Sequence, residues 1–186
     1  GNKSLTDYTV EVLLQNNNLK SLVAKGYVDI DPENPYIDLN VDFEEFLLNP
    51  LNPFGQGVIT NIRGIVTGKT TVTGNLKEPQ INGNLFLDNA GLSIPYLNVD
   101  YSFDFDSQVK LEQQKFIFQD VEITDSDYFS KAILNGFIGH KNFSDWYLGL
   151  DITTDRLLVL NTKDNEEALY YGTAFMNGTA NLKGPT

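Results

Sequence analysis

The stretch Asn98–Asp106 reads NVDYSFDFD, and polar and apolar residues alternate along it without a break. In an extended chain, successive side chains point to opposite faces, so the apolar residues share one side and the polar residues the other. This alternation is typical of a β-strand with one buried face and one hydrated face. The apolar side consists of Val99, Tyr101, Phe103 and Phe105. The open question is whether that side contacts a filled core, another chain or a ligand.

Two other segments alternate in the same way. One has apolar residues at 37, 39 and 41, separated by Asp or Asn, and the other has Leu or Ile at 148, 150 and 152. Each pattern predicts a strand with one buried face. The candidate residues of an apolar face are therefore Ile37, Leu39, Val41, Val99, Tyr101, Phe103, Phe105, Leu148, Leu150 and Ile152.

A change of parity marks a further strand region. Phe116 and Phe118 lie on one parity, whereas Val121 and Ile123 lie on the other. One extra residue in a strand has this effect, because it turns the side chains that follow to the opposite face. We therefore expect a bulge or corner here, with Asp120 at the change.

One segment has helical spacing. Phe43 and Phe46 would share a helix face, Asp42 can serve as the N-cap, and Glu45 stands three residues later, as in a capping box. Asn-Pro pairs follow and would end the helix. The pattern predicts one short helix near 43–49, plugging an open edge or end of the sheet.

Composition and charge limit the possible partners. The chain has 186 residues, a net charge of −12 and no cysteine. Nucleic acid is not an expected partner, because phosphate binding needs clustered Lys and Arg. The absence of thiols excludes disulfides and Cys-based zinc sites. No run of about 18 apolar residues occurs, so the sequence predicts no membrane-spanning helix.

Glycine recurs beside apolar residues, and one heptapeptide appears twice in altered form, as TGNLKEP at 73–79 and TANLKGP at 179–185. Glycine permits tight bends and close approach of backbones. Short strands with such corners predict an all-β fold in which an elongated, curled β-sheet is built by stacking rungs, like an open β-solenoid. An ordinary β-sandwich is the competing fold. We expect residues 1–186 to form a single unit of this kind, as a piece of a longer protein.

Residue types that could carry chemistry occur in contexts that favour other roles. His140 stands in GHKN, which is typical of a solvated turn, and no nucleophile motif accompanies it. Asp125 and Asp127 lack the remaining ligands of a calcium loop, so we interpret them as part of a solvated loop. The same interpretation applies to the acidic run at 164–167. The segment 64–70 ends in GKT but is one residue short of a phosphate-binding loop.

Asp104 and Asp106 could form the carboxylate pair of a glycosidase. The acidic outer face of a regular strand predicts the same two residues, and we prefer that interpretation. The sequence therefore gives no candidate catalytic residue, no metal site and no cofactor, and an enzyme is not predicted.

Several of these segments, taken in their order, resemble the C-terminal domain of the TamB family (translocation and assembly module), in the version found in Bacteroidetes. That family is grouped with AsmA-like and bridge-like lipid transfer proteins. The resemblance covers residues 58–186 well and residues 1–57 less closely. It rests on GIVTGKTTVTGNLKEPQINGNLFL at 64–87, GLSIPYLNVDYSFDF at 91–105, LNGFIGH at 134–140, and the blocks 143–162 and 169–185.

The resemblance implies a taco-shaped sheet whose apolar concave groove is lined by the ten candidate residues given above. It implies a phospholipid or other acyl-chain ligand. It also implies a periplasmic location, in a parent protein that is anchored in the inner membrane and reaches the outer membrane. The implied partner is a TamA-like barrel of the BamA superfamily, met through a C-terminal end that this chain lacks.

Three functions follow as hypotheses. The first is an intermembrane bridge that shields phospholipid acyl chains during transport. The second is a scaffold for assembly of outer-membrane β-barrel proteins or autotransporters, which would bind unfolded strands at a sheet edge. The third is a glycan-binding or adhesive β-solenoid, which needs a surface cleft with aromatic residues and paired carboxylates.

Overall fold

The protein is described by a computed structural model that covers residues 6–16, 19–55, 57–142, 144–163 and 171–185. Within these ranges, eleven antiparallel strands form one sheet, and one short 3-10 helix, Asn49–Gly55, connects the third strand to the fourth. The all-β, curled-sheet prediction is confirmed. The strands are β1 (Asp7–Asn16), β2 (Leu19–Asp29), β3 (Tyr36–Leu47), β4 (Thr60–Asn75), β5 (Gln80–Ile94), β6 (Val99–Phe103), β7 (Ser107–Glu112), β8 (Lys115–Asp125), β9 (Lys131–Lys141), β10 (Ser144–Thr162) and β11 (Gly172–Pro185).

The sheet is a meander in which each strand pairs with the next, with one exception. The strands β6 and β7 run in the same direction and share one position between β5 and β8. Strand β6 pairs with residues 91–94 at the C-terminal end of β5, and β7 pairs with residues 83–87 nearer its N-terminal end. Together they act as one long strand interrupted by a turn at residues 104–106. Sequential pairing of this kind is the simplest arrangement for strands joined by short turns.

A row of irregular positions crosses the middle of the sheet. Asn89 on β5, Asp106 in the β6–β7 turn and Asp120 on β8 have φ angles of 49°, 59° and 51°. Such residues tolerate the left-handed region, and an extra residue there bends and twists its strand. The register between β8 and β9 shifts between Phe118 and Val121. The expected corner at Asp120 is therefore confirmed, and aligned bulges of this kind account for the curl.

The predicted helix near 43–49 is wrong in position. Strand β3 continues to Leu47, and a register shift between Phe43 and Phe46 places both rings on one face. Their ring centroids are 5.8 Å apart in an edge-to-face arrangement. Residues three apart share a face in a regular helix, but a bulge, which adds one residue to a strand, also places residues three apart on the same face of that strand. The 3-10 helix Asn49–Gly55 follows this strand instead.

The strands are longer than the glycine-rich corners suggested, since β10 alone has 19 residues. The two related heptapeptides also differ in structure. The first spans the end of β4 and the turn before β5, whereas the second lies inside β11. The repeated letters therefore do not mark repeated structural units.

Two clusters of buried apolar side chains form the core. One is centred on β4, β5, β7, β8 and β9 and includes Val66, Leu85 and Phe118. The other lies beyond the row of bulges and includes Val99, Tyr101 and Leu158. Phe103 and Ile152 contact both clusters, so the apolar interior is continuous along the strands.

Candidate functional site

The candidate site is one face of the sheet, here called the inner face. Residues paired across antiparallel strands point to the same side, so the registers assign faces without ambiguity. One cross-strand row traverses ten strands and contains only apolar residues and glycine. Its members are Leu14, Leu22, Phe43, Gly68, Leu85, Val109, Phe118, Gly136, Leu150 and Leu182.

The adjacent row on the same face contains no charged residue either. It carries one hydroxyl group, that of Thr70, which is buried. Its members are Val12, Ala24, Val41, Thr70, Gly83, Leu111, Phe116, Ile138, Leu148 and Gly184. The inner face is thus an uninterrupted apolar band across the sheet.

Nine of the ten candidate residues lie in regular strands on the inner face, and three of them, Val41, Leu148 and Leu150, are members of the two rows. Leu39 and Ile37 lie on the same face of β3 as Val41, and Ile152 pairs with Leu134 on β9. Phe105 is the exception. Strand β6 ends at Phe103, and Phe105 lies in the following turn with 75% of its surface exposed. The prediction that Phe105 continues the strand is wrong, because the turn at 104–106 interrupts the alternation.

Glycines on the inner face sit beside aromatic rings. Gly68 pairs with Phe43, and Gly136 pairs with Phe118. A Cβ atom on Gly136 would lie 2.1 Å from the carbonyl oxygen of Gly149, and its φ of +110° is rarely adopted by other residues. Large rings opposite glycine keep the surface filled while the backbones approach closely.

The far half of the inner face is filled by the protein itself. Strand β10 leaves its pairing with β9 near Arg156 and passes over β6. The main chain of Leu158 is held there by side chains. Tyr101 Oη donates a 2.7 Å hydrogen bond to the Leu158 carbonyl oxygen, and the Leu158 N–H donates to Ser130 Oγ at 2.8 Å. The space beside Tyr101 is therefore occupied, and only 9% of this residue is exposed.

Asp125 also holds this covered region together. The prediction that it lies in a solvated loop is wrong. Its carboxylate is fully buried and accepts bonds from the N–H groups of Asp127, Tyr128 and Ser130, and from the Ser130 hydroxyl. Burial, with a smaller contribution from the Asp125 charge, raises the pKa of Tyr101 to about 12. The sequence signal that was available is the stretch DSDYFS at 125–130, in which an Asp opens a short polar turn, because Asp side chains commonly accept hydrogen bonds from the main chain two residues on.

The inner face is more accessible near the two edges of the sheet. Val12 and Leu14 on β1 are 43% and 47% exposed, and Leu182 on β11 is 46% exposed. On β2 and β3, Leu22, Leu39 and Phe43 are half-buried, so their exposure lies between that of the edge residues and that of the core. An accessible apolar surface therefore extends from the filled centre towards both edges.

His140 also departs from its prediction. It is not in a solvated turn but in β9, with 4% of its surface exposed. Its ring lies 5.7 Å from that of Phe116 and 5.0 Å from that of Trp146, measured between centroids. Burial lowers the pKa of His140, so the neutral imidazole fits this aromatic end of the inner face.

The outer face carries charges of both signs. Arg63 forms two hydrogen bonds with Asp100, at 2.9 and 2.7 Å, and Ser93 and Ser126 donate to the same carboxylate. Burial alone would raise the pKa of Asp100, but the hydrogen bonds from Arg63, Ser126 and Ser93 outweigh it, and the pKa lies below its usual value. Asp100 therefore joins β4, β5 and the β8–β9 turn, a role that the alternation pattern did not reveal.

The other acidic candidates give no convergent site. Asp104 and Asp106 are exposed at the β6–β7 turn, rather than paired on a strand face. The acidic run at 164–167 lies outside the described residues. An open depression of about 520 Å³ is lined largely by outer-face residues of β2 to β5, among them Lys25, Asp42 and Lys69, and its polar lining does not continue the inner face.

In the portion of the chain that is described, no group of three or more His, Cys, Asp or Glu side chains is placed to hold a metal ion. A helix of sufficient length and hydropathy to cross a membrane is likewise not found among those residues.

The fold and this face define a class of protein: a curled antiparallel sheet with one continuous apolar side. The family described as the TamB C-terminal domain matches residues 13–115. This match spans more than half of the chain, and the chain belongs to the TamB family. It includes residues 13–57, where the sequence resemblance was less close, and residues 58–115, and it does not extend over residues 116–186. The comparisons with curated proteins and with solved structures gave no significant match.

The TamB family comprises non-enzymatic proteins of the cell envelope that work with TamA-like partners in outer-membrane assembly. The family match covers the strands β2 to β7 and the last four residues of β1, 13–16, including Leu14, Leu22 and Leu39 of the accessible inner face. Membership in this family thus indicates a TamB-like role in the envelope.

Proposed function

We propose that this chain is a periplasmic part of a TamB-like bridge, and that its inner face shields phospholipid acyl chains in transit between the inner and outer membranes. The observation that carries the proposal is the pair of uncharged rows across all ten strand positions of the sheet. Contiguous apolar surface that stays exposed on a folded domain is typical of an interaction site. A path for hydrocarbon would use such a surface.

The energies favour such a surface. Burial of hydrocarbon contributes about 0.8 kcal/mol per methylene, so an acyl chain of about sixteen carbons costs roughly 10 kcal/mol or more to expose fully. A half-open apolar face lowers that cost along the route without a deep well that would retain the lipid. The charged outer face keeps the sheet hydrated.

The proposed route uses the accessible side of the inner face. Acyl chains would lie over β1 to β3, against residues such as Leu14, Leu22 and Leu39. Val99 and Tyr101 would not line the open route, because β10 covers them. Their role would be to hold the sheet in its curled form.

Uptake of a fluorescent fatty acid by delipidated protein tests this proposal. Leu39→Asp places a charge on the inner face, and Asn40→Asp places the same charge on the outer face one residue away. We expect Leu39→Asp to abolish uptake and Asn40→Asp to leave it unchanged, with both proteins retaining the circular dichroism of a β-sheet. Equal uptake by the two folded variants would refute the proposed route.

A second function is favoured by the edge strand β1. Val12, Leu13 and Leu14 are exposed consecutively there, so at these three positions the edge is apolar on both faces. Unpaired edges accept added strands, and this edge would suit an unfolded outer-membrane β-strand during assembly with a TamA-like partner. Leu13→Lys blunts the outer side of the edge and leaves the inner face intact. Loss of peptide binding with normal fatty-acid uptake in this variant would identify a separate scaffold function.

A further inference from the structure

The two ends of the strands differ sharply in polarity. At one end, three turns leave neighbouring positions of the sheet: the segment 49–59 before β4, the β5–β6 turn at 95–98 and the β8–β9 turn at 126–130. These turns carry Phe54, Val58, Tyr96 and Phe129, which are 63%, 67%, 65% and 75% exposed. We call this set the aromatic tips.

The opposite end of the same strands is polar. Its turns contain Lys77, Glu78, Gln113, Gln114 and Asn142, and the most exposed large apolar side chain among the described residues of these turns is Ile30, at 49%. Among the described residues, the large apolar side chains that are more than 60% exposed are Phe54, Val58, Tyr96, Phe105, Phe129 and Tyr171. All of them except Phe105, which lies in the mid-sheet turn at 104–106, are at the end that carries the aromatic tips.

The backbone of Phe129 provides a second observation. Its φ is +56°, in the left-handed region. The other residues besides glycine with positive φ in the described chain are Asn, Asp or Gln. A bulky residue in this region is an outlier, and strain retained on an exposed side chain points to a function of that side chain.

The arrangement of the tips indicates the kind of partner. Strands lie about 4.8 Å apart, so tips distributed from β4 to β8 span on the order of 15 Å. The tips lie on three separate turns, which also carry polar residues such as Asn52, Asn98 and Ser126, so they project from separate parts of the chain. Projections of this kind suit a fluid interface, which needs no shape complementarity, better than a folded protein surface.

The charged residues of the three turns indicate which kind of lipid surface they would bind. The three turns contain one charged residue, Asp127, and its carboxylate accepts a 2.7 Å bond from Asn161 Nδ2. They contain no Lys or Arg, and the whole chain carries a net charge of −12. Electrostatic attraction to anionic lipid is thus absent, while aromatic side chains favour the interfacial region of a bilayer.

We propose that the aromatic tips insert into the interface of a zwitterionic lipid surface and dock this end of the sheet on a membrane. This proposal concerns a different surface from the inner face, so either proposal can fail without the other.

Flotation with phosphatidylcholine vesicles tests the proposal. Phe129→Asn replaces the aromatic ring with a residue that tolerates positive φ, so the variant retains or gains stability while it loses one tip. Combined with Phe54→Ser, it should lower the partition coefficient by about tenfold or more. Gln113→Asn is the matched control, because Gln113 has φ of 59° in a turn at the polar end. This control should float like the unaltered protein.

Replacing about one-third of the lipid with phosphatidylglycerol should weaken binding, because the chain is anionic. Three results would overturn the proposal: no flotation of the unaltered protein, equal flotation of the tip variant, or equal loss in the Gln113→Asn control. A photo-crosslinker at Tyr96 that reacts with a purified outer-membrane barrel in the vesicles, and not with lipid, would also overturn it. Fatty-acid uptake by the tip variant should stay normal, which separates this test from that of the inner face.

Discussion

The hydroxyl group of Tyr101 donates a 2.7 Å hydrogen bond to the main-chain carbonyl oxygen of Leu158, which joins β6 to β10. These strands are separated in the sheet by β8 and β9. The sheet must therefore curl for this bond to form. Tyr101, an apolar-side residue of the alternating NVDYSFDFD stretch, thus helps to hold β10 over one end of the inner face.

Tyr101→Phe should destabilise the protein by about 1–3 kcal/mol, because it leaves a buried carbonyl oxygen without its donor. Urea unfolding followed by circular dichroism measures the change. Tyr27→Phe is the control, since Tyr27 also donates to an acceptor, Asp7, at 2.7 Å but on an exposed edge. An unfolding midpoint for Tyr101→Phe no lower than that of the control would contradict the closure.

Gly136→Ala should destabilise the protein much more than Gly178→Ala. Both glycines have φ near +110°, so both substitutions incur the backbone strain of about 1–3 kcal/mol. Only at Gly136 would the new Cβ atom meet the Gly149 carbonyl oxygen, because nothing lies within 4 Å of a Cβ at Gly178. Thermal unfolding of the two variants isolates this contact. Equal melting temperatures would show that the strands do not approach as closely as described.

Asp100→Asn should reduce stability near neutral pH and have little effect in acid. The pKa of Asp100 is lowered in the folded state, so its contribution is present above the unfolded pKa of about 3.9 and is lost as the pH falls through the folded pKa. Urea unfolding of both proteins at several pH values between about 2 and 7 tests whether the difference in stability shrinks as the pH falls. Asp38→Asn, at an exposed outer-face position, serves as the control. A difference that grows on acidification would contradict the role of the Arg63 pair.

His140 should titrate below its usual range, because burial lowers its pKa. A depressed pKa in the folded state means that the unfolded chain binds the proton more readily, so stability falls as the pH decreases below about 6.5. The chain has one histidine, and its imidazole resonances can be followed by NMR without ambiguity. The variant His140→Gln should lose this pH dependence. A pKa at or above the ordinary value would place the ring in water, against the structure.

The sequence predicted the faces of the regular strands correctly. Strict alternation placed Ile37, Leu39 and Val41 on one side, because regular pleating leaves no other choice. The parity change around Asp120 also predicted a bulge, since a strand has few other ways to change face.

The remaining differences have local physical causes. The spacing of Phe43 and Phe46 fits a helical turn and a bulged strand equally, and only the pairing with β4 decides between them. Phe105 continues an alternation that the Asp106 turn breaks. The burial of His140 and Asp125 depends on β10 and on the adjacent turns, which local sequence does not report.

Photo-crosslinking from adjacent residues on β3 can detect whether lipid lies against the inner face. Leu39 points to the inner face and Asn40 to the outer face. The two residues are adjacent in β3, so they differ in the face they occupy and have nearly the same position along the strand. With phospholipid-loaded protein, a photoreactive residue at 39 should give lipid adducts, and the same residue at 40 should give few or none. Adducts of equal yield at both positions, or adducts only at 40, would show that lipid does not bind the inner face in preference to the outer face.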